Sequence, residues 1–383
     1  MRVLHVGKYY PPYHGGMERY LADVLPALRD KGLVCGAIVH AHDHESVDKG
    51  TVENGIWLMR VPSHGRLLYA PLSPAYPFWL ARAIKTFRPD ILHLHLPNTS
   101  AFWPLALPSA RRLPWVVHWH SDVVASSLDR RLALAYPFYK PFEQATLRRA
   151  KAIIVTSSAY LEASEALAPW RTKCQVVALG LDIRRYPPPT ETSREWAAVQ
   201  WPKDSALRVL TVGRMTYYKG HETLVRAIAR QPKTSLVLVG DGEKRPAIEN
   251  LISQLAVGNR VTLAGRLPDD KVNALVETCD TFCLPSLERT EAFGMVLLEA
   301  MRYGRPAVAS RIEGSGVGWV VSDNETGLLC KTGDVVDLAE KLGILANDLG
   351  LRVAMGQAAR QRFEEMFRIE AVAGRLSAIY AGL

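Results

Sequence analysis

The sequence has little cysteine, no long apolar run and no Asp-x-Asp element. Its five cysteines, Cys35, Cys174, Cys279, Cys283 and Cys330, are scattered over 383 residues. The closest pair, in CDTFC, sits in a strand-like stretch at a spacing that suits neither zinc nor a redox pair. A disulfide framework is not indicated, and reduced, buried thiols are the expectation. No stretch of 18 uncharged apolar residues occurs, so no membrane-spanning helix is expected. The start, MRVLHVGKYYPP, has too short an apolar run for a signal peptide and enters a turn at once. Without Asp-x-Asp, nothing in the sequence requires a bound metal. Short repeats and low-complexity tracts are missing too.

What is present is ordinary in bulk and uneven in distribution. Hydrophobic residues make up 48% and charged residues 22%, as in globular proteins generally. A chain of 383 residues is long for one core, which favours two domains. Residues 1–190 hold 23 of the 47 basic and 14 of the 38 acidic residues, so the whole net charge of +9 lies there. An anionic partner of that half is implied: nucleic acid, anionic lipid or an anionic acceptor.

Short apolar runs alternate with helical periodicity. RVLHVG, VCGAIVHA, DILHLHL, PWVVHWH and AIIVTSS read as buried parallel strands, and MERYLADVLPALRDKG as an intervening helix. Near residue 186 the rhythm yields to the Pro-rich, polar YPPPTETSREWAAVQWPKDSA. It restarts with LRVLTVGR, SLVLVGDGE, RVTLAGR, DTFCLPS, PAVASRIEG and TGLLC. The pattern predicts two doubly wound α/β domains, over 1–185 and 205–365. A linker over 186–204 joins them, and a terminal helix over 366–383 is placed to cross back to the first domain. In such sheets ligands bind beyond the carboxyl ends of the strands, so two facing domains would line a cleft.

Three motifs fall at such ends. His14-Gly15-Gly16-Met17-Glu18 follows the first strand and opens a helix, where paired glycines admit a phosphate or simply make a tight turn. In VGRMTYYKG, Arg214 and Lys219 leave a strand end together, as a fork and a point charge suited to a diphosphate, or as two solvated charges. In RTEAFGMVLLEA, Glu291 stands before a helix predicted over 294–303 and Glu299 about one and a half turns inside it. Such acids accept hydrogen bonds from hydroxyls, and the backbone N–H groups of Phe293 and Gly294 would face the same ligand. A plain helix cap explains Glu291 but not an acid embedded in VLLEAM.

These residues carry a resemblance. PSLERTEAFGMVLLEAMRYGRPAVAS, VGRMTYYKG, LVGDGE and GGME together resemble the family 4 retaining glycosyltransferases of the GT-B fold, over nearly the whole chain. The resemblance implies an enzyme that moves a hexose from GDP-mannose or a UDP-hexose to a saccharide or lipid-linked saccharide. Its setting would be lipopolysaccharide, capsule or exopolysaccharide synthesis, in the cytoplasm or peripherally on the inner face of the cytoplasmic membrane, with no resident cofactor or metal. By position, Gly15, Gly16, Arg214 and Lys219 would hold the diphosphate. Glu291 and the backbone of Phe293, Gly294 and Met295 would hold the sugar, Glu299 the ribose, and Arg266 would border the base. His120 falls where the family places a histidine near the transferred sugar; His118 competes for that role, while His93 and His95 read as structural. No carboxylate stands out as a nucleophile, which favours front-face attack over double displacement.

Two other readings stay open: a GT-B epimerase or phosphorylase, and a non-catalytic basic protein binding membrane or nucleic acid. For the basic half, residues 66–88 interleave Arg66, Arg82, Lys85 and Arg88 with Leu67, Tyr69, Trp79 and Phe87. Residues 128–151 do likewise with Arg130, Arg131, Lys140, Arg148, Arg149 and Lys151. Basic beside aromatic side chains predict adsorption to an anionic bilayer.

Overall fold

The computed structural model describes all residues except 14, 43–49, 68–69 and 124–129, and the side chains of 66–67 and 130–133 are likewise set aside. His14 and Tyr69, and the side chains of Arg66, Leu67, Arg130 and Arg131, therefore lie outside the described residues. The chain forms two units, one of Met1–Asp182 with Ile369–Leu383, the other of Ile183–Arg368.

Among the described residues the first unit has ten strands: β1 (Arg2–Val6), β2 (Val34–His40), β3 (Thr51–Glu53), β4 (Ile56–Val61), β5 (Arg66–Leu67), β6 (Ala70–Pro71), β7 (Ile91–Leu96), β8 (Trp115–Trp119), β9 (Ala152–Val155) and β10 (Cys174–Val176). Eight of them form one sheet in the order β10-β9-β8-β7-β1-β2-β4-β3, and β5 pairs with β6. The large sheet is parallel except where β3 returns along β4. Its central strands are covered on both faces, which is why they read as unbroken apolar runs. The hairpin of β3 and β4 escapes that pattern because it lies at the sheet edge, where Trp57 and Arg60 alternate with buried residues. Its turn, Asn54-Gly55, has both φ angles positive, at 48° and 78°, so the Asn-Gly pair was the available sequence signal.

The helix Gly16–Asp30 buries Tyr20, Leu21, Val24, Leu25 and Leu28. The terminal helix Ile369–Ala381 packs against it. Ile369 N–H donates to the Leu181 carbonyl at 3.2 Å, and Tyr380 is buried. The terminal helix starts at Ile369 rather than 366: the preceding helix Leu349–Arg362 runs into a wider turn at Phe363–Phe367 before it.

The second unit has six parallel strands, β11 (Leu207–Val212), β12 (Thr234–Val239), β13 (Val261–Gly265), β14 (Thr281–Leu284), β15 (Ala307–Arg311) and β16 (Gly327–Lys331), in the order β13-β12-β11-β14-β15-β16. Residues 186–204, read above as a linker, carry the helix Glu191–Ala198, capped by Thr190 Oγ1 on the Ser193 N–H. That helix is tied to Asp269–Thr278 by Arg194 on Glu277 at 2.9 Å and Ser193 on Asp270 at 2.7 Å, so it is part of this unit. All five cysteines are free thiols, four of them buried.

One buried acid is out of keeping with its surroundings. Glu143, on the helix Arg130–Arg149, is fully enclosed; Tyr136 O–H donates to its Oε1 at 3.0 Å and its Oε2 has no partner among the described residues. Burial pushes its carboxyl up to about 7, against the opposing hydrogen bonds of Tyr136 and Gln144. The folded state thus holds a proton that the unfolded chain releases above the ordinary carboxyl range, and stability falls as pH rises from there to about 7. Glu143→Gln removes that dependence. Denaturant titrations at pH 5 and pH 8 should show the variant gaining up to ~3 kcal/mol on the wild type between the two. A pH-independent difference would place the carboxylate in a solvated site.

Candidate active site

The strand order of the second unit reverses between β11 and β14, and the predicted residues gather at the carboxyl ends around that reversal. Arg214 and Lys219 follow β11, the GDGE turn follows β12, Arg266 follows β13, and Ser286 and Glu291 follow β14. The loops after β11 and β14 are joined by backbone, Leu287 N–H donating to the Tyr218 carbonyl at 2.7 Å. Gly220 makes that approach possible: its φ is +69°, and a Cβ there would lie 1.9 Å from the Pro285 carbonyl oxygen.

Across this junction Lys219 Nζ meets Glu291 Oε2 at 2.6 Å, each side chain about nine-tenths buried. Burial alone would lower the Lys219 ammonium's pKa; the Glu291 carboxylate and Tyr218 outweigh it and hold the pKa above the ordinary lysine value. Ser286 Oγ donates to the same Oε2 at 3.0 Å. Both contacts use one oxygen, so Oε1 carries no hydrogen bond among the described residues. A carboxylate with one oxygen anchored and one open is suited to accept from a ligand hydroxyl. Arg214 and Arg266 are exposed, and Arg214 helps hold Glu243 of the GDGE turn below the usual carboxylate range; burial raises Glu243, but Thr216, backbone donors and Arg214 prevail.

The loop 291–294 is fixed from below. Ser315 Oγ donates to the Glu291 carbonyl, and Gly316 N–H donates to the Ala292 carbonyl at 2.8 Å. Phe293 is buried against Trp319 and Phe367, so its side chain anchors the loop while its backbone stays at the helix start. Gly294 has φ +82°, and a Cβ on it would crowd Leu284 and Leu297 at 2.9 and 2.8 Å. The helix runs Met295–Met301, shorter than 294–303, with Glu299 buried inside it. Ser286 and Ser315 were not singled out in the sequence, where a serine after a strand looks like any turn residue.

In the first unit, Gly15 caps the helix Gly16–Asp30 in extended conformation, with the flexible Glu18 carboxylate lying over it. His118 and His120 point to one face of the sheet, as alternation requires, their rings stacked at 4.3 Å. His118 is fully buried, whereas His120, just past β8, keeps 8% exposure. His93 and His95 are buried, and His5 of β1, not singled out in the sequence, joins them. Burial drives all five imidazoles to the neutral form, His95 to a pKa of about 3 and the others well below the usual value.

Two triads, His5-His93-His95 and His95-His118-His120, bring ring nitrogens within 4.8 Å of one another. A metal must lie in the plane of every ring that binds it. Here the stacked pairs lie in near-parallel planes, and the remaining contact in each triad is a pair of ring nitrogens facing each other at 3.0 and 2.8 Å, a hydrogen-bonding geometry.

Both halves of the chain match known glycosyltransferase families. The family described as glycosyl transferases group 1 matches residues 193–362, and the glycosyl transferase 4-like domain matches residues 15–180. The chain belongs to the GT-B glycosyltransferases. It is 28% identical over 375 residues to O-antigen chain mannosyltransferase C of Escherichia coli, covering 96% of this chain and 94% of that protein. It is 29% identical over 382 residues to the D-rhamnosyltransferase WbpZ of Pseudomonas aeruginosa, covering 96% and 92%. In fold it is similar to sucrose-phosphate synthase from Thermosynechococcus elongatus, with a TM-score of 0.81 at 24% identity over 100% of this chain and 98% of that one. The two units are the pair of Rossmann-like domains of that class.

The buried pair yields a direct test. Lys219→Met leaves Glu291 enclosed with Ser286 alone, and should cost about 3 kcal/mol of stability. Adding Glu291→Gln should recover much of that loss. Chemical denaturation of both singles and the double closes the cycle, and additive effects would show that the two groups do not interact.

Proposed function

We propose that this glycosyltransferase moves a hexose of manno configuration, with retention, from a nucleotide-diphosphate sugar to a saccharide or lipid-linked saccharide in surface-polysaccharide synthesis. The observation that carries the reading is the Lys219–Glu291 pair at the strand-order reversal, with one Glu291 oxygen pinned and the other open. Relatives named for mannosyl and D-rhamnosyl transfer, the first to O-antigen, support the sugar class and the setting.

In this reading Arg214 and Lys219 take the diphosphate, and the Gly15-Gly16 turn is the first unit's own phosphate-binding element. Lys219 has three N–H donors and can keep Glu291 while giving another to a phosphate oxygen. Glu291 Oε1 and the backbone of Phe293, Gly294 and Met295 take the sugar, Glu299 the ribose, Arg266 the edge of the base, and His120 the sugar from the first unit. The acceptor hydroxyl attacks the anomeric carbon on the face the diphosphate leaves. The C–O bond to phosphate breaks as the new C–O bond forms, and the departing phosphate oxygen receives the hydroxyl proton. Arg214 and Lys219 stabilise the charge gathering on the diphosphate.

The lipid-linked acceptor fits the surface of the first unit. Phe87 was read as membrane-facing but is core, packed between Trp57 and the Arg2 guanidinium; Trp79 is half-buried. Exposed apolar groups here include Leu134, Phe138 and Phe142, at a four-residue spacing on one helix face, with Leu72, Phe78 and Trp103. Exposed Arg82, Lys85, Arg88 and Lys140 belong to the same segments. No helix among the described residues is long and apolar enough to cross a membrane. Peripheral adsorption on the cytoplasmic face of the membrane is the arrangement we infer.

Calorimetry tests the donor assignments. With a panel of GDP- and UDP-sugars, Glu291→Ala should abolish transfer and leave nucleotide diphosphate affinity within about threefold of wild type. Glu299→Ala should weaken the nucleotide itself by tenfold or so, the loss of a charged hydrogen bond. Equal losses in the two variants would sink the division of roles. For the surface, vesicles containing anionic lipid should float the wild type at low salt but not Leu134→Glu/Phe138→Glu, and equal flotation would remove the helix from the contact.

A further inference from the structure

Five histidines of the first unit form two hydrogen-bonded rows. Neighbours in the strand register stack: His5 on His93 at 4.6 Å and His95 on His118 at 5.4 Å. Diagonal neighbours hydrogen-bond. One row runs from His5 Nδ1 to His95 Nε2 at 3.0 Å, then from His95 Nδ1 to His120 Nε2 at 2.8 Å. The other runs from His118 Nδ1 to His93 Nε2 at 3.3 Å, then from His93 Nδ1 to the Tyr380 hydroxyl of the terminal helix. Tyr20 closes them from the side, edge-on to His118 and His120 at 5.0 and 5.6 Å.

A neutral imidazole has one N–H and one bare nitrogen. His95 uses both nitrogens within the first row, so it must donate through one and accept through the other. Only two proton arrangements satisfy the row. In one, His120 Nε2–H donates to His95, His95 Nε2–H donates to His5, and His5 is left with an N–H at Nε2. In the other every proton is reversed, and His5 Nε2 is bare. That atom is sealed and has no partner among the described residues. Buried donors without acceptors are rarer than acceptors with a spare lone pair, so the second arrangement is favoured. His95 Nδ1–H then donates to His120 Nε2, and the only proton left on His120 is at Nδ1.

We propose that the row His5-His95-His120 is a tautomer lock that presents His120 to the substrates as an Nδ1–H donor and denies it the role of general base. His5 and His95 are positioning residues in this scheme. The ligand atom facing His120 must be an acceptor, such as a sugar hydroxyl oxygen or a phosphate oxygen. The proposal rests on the reading that His120 faces the substrates, and the tests below separate the two.

The wild-type chain labelled with 15N-histidine reports tautomers directly through two-bond proton–nitrogen couplings, with the His120 signals identified by their loss in His120→Gln. The expected result is protonated Nδ1 and bare Nε2; the opposite tautomer overturns the proposal without any variant having to fold. An asparagine amide superimposes on the Nδ1 side of a histidine, so His95→Asn should keep the donor to His120 and stay within about threefold of wild-type kcat. His95→Leu removes the donor and should lower kcat at least about tenfold, the usual loss when an orienting partner of an active histidine is removed. Donor-sugar affinity should stay unchanged in both. Equal kcat in the two variants overturns the positioning role. The expected tautomer combined with full activity of His120→Gln would overturn the placement of His120 at the substrates.

Discussion

An ammonium and a carboxylate, both nearly sealed from water, hold together the loops on either side of the strand-order reversal. Without each other neither could be buried there: desolvation of either ion costs several kcal/mol, and only their contact and the added hydrogen bond from Ser286 offset it. The rest of the second unit's site follows from keeping that contact. Gly220 and Gly294 occur where a Cβ would push the two loops or the helix start out of place. Ser315, Gly316 and the buried ring of Phe293 hold the Glu291 loop from beneath. The pair is worth little as a source of stability, since well-packed apolar residues could do as much; what it provides is a charged donor and a charged acceptor preset at the strand-order reversal.

The first unit solves the burial of polar groups by the opposite means. Five of its imidazoles are neutral and hydrogen-bond one another in rows across β1, β7 and the end of β8. A row of neutral rings has a direction, and the direction is decided at the end that has no partner. A residue on β1, two strands away, thereby governs what His120 can offer to a ligand. This is a chemical form of action at a distance that needs no movement of the backbone.

Much of this was legible in the sequence, and what was not has identifiable causes. Buried parallel strands announce themselves as apolar runs, so every central strand of both sheets was readable, while the edge hairpin with Trp57 and Arg60 was passed over despite its Asn-Gly turn. The charges Arg214, Lys219 and Glu291 stood out by type and place. That Lys219 and Glu291 contact each other did not, because they are 72 residues apart and only the strand order brings them together. Residues 186–204 looked like a linker with one helical turn because of their proline content; the helix there runs to eight residues, and its stability comes from Arg194 and Ser193 across to another helix. Phe87, beside three basic residues, looked like part of a membrane surface; its helix turns it inward, and the exposed apolar stripe lies on Leu134, Phe138 and Phe142.

The histidines show most plainly where sequence stops. Alternation places His93 with His95 and His118 with His120 on one face, but it does not reveal that one face serves both strands or that His5 completes the row. Nor does it separate His118 from His120. In hydrogen bonding the two differ: His118 is committed to His93 through Nδ1 and its other nitrogen is sealed, while His120 is committed only through Nε2. Of the two, only His120 retains a nitrogen for something outside the sheet. The same reasoning that assigns Glu291 one anchored oxygen and one open oxygen thus assigns His120 one anchored nitrogen and one open nitrogen. In each unit a side chain is fixed by half of its hydrogen-bonding capacity so that the other half keeps its aim, the condition for interactions that cost no reorganisation when a ligand reacts.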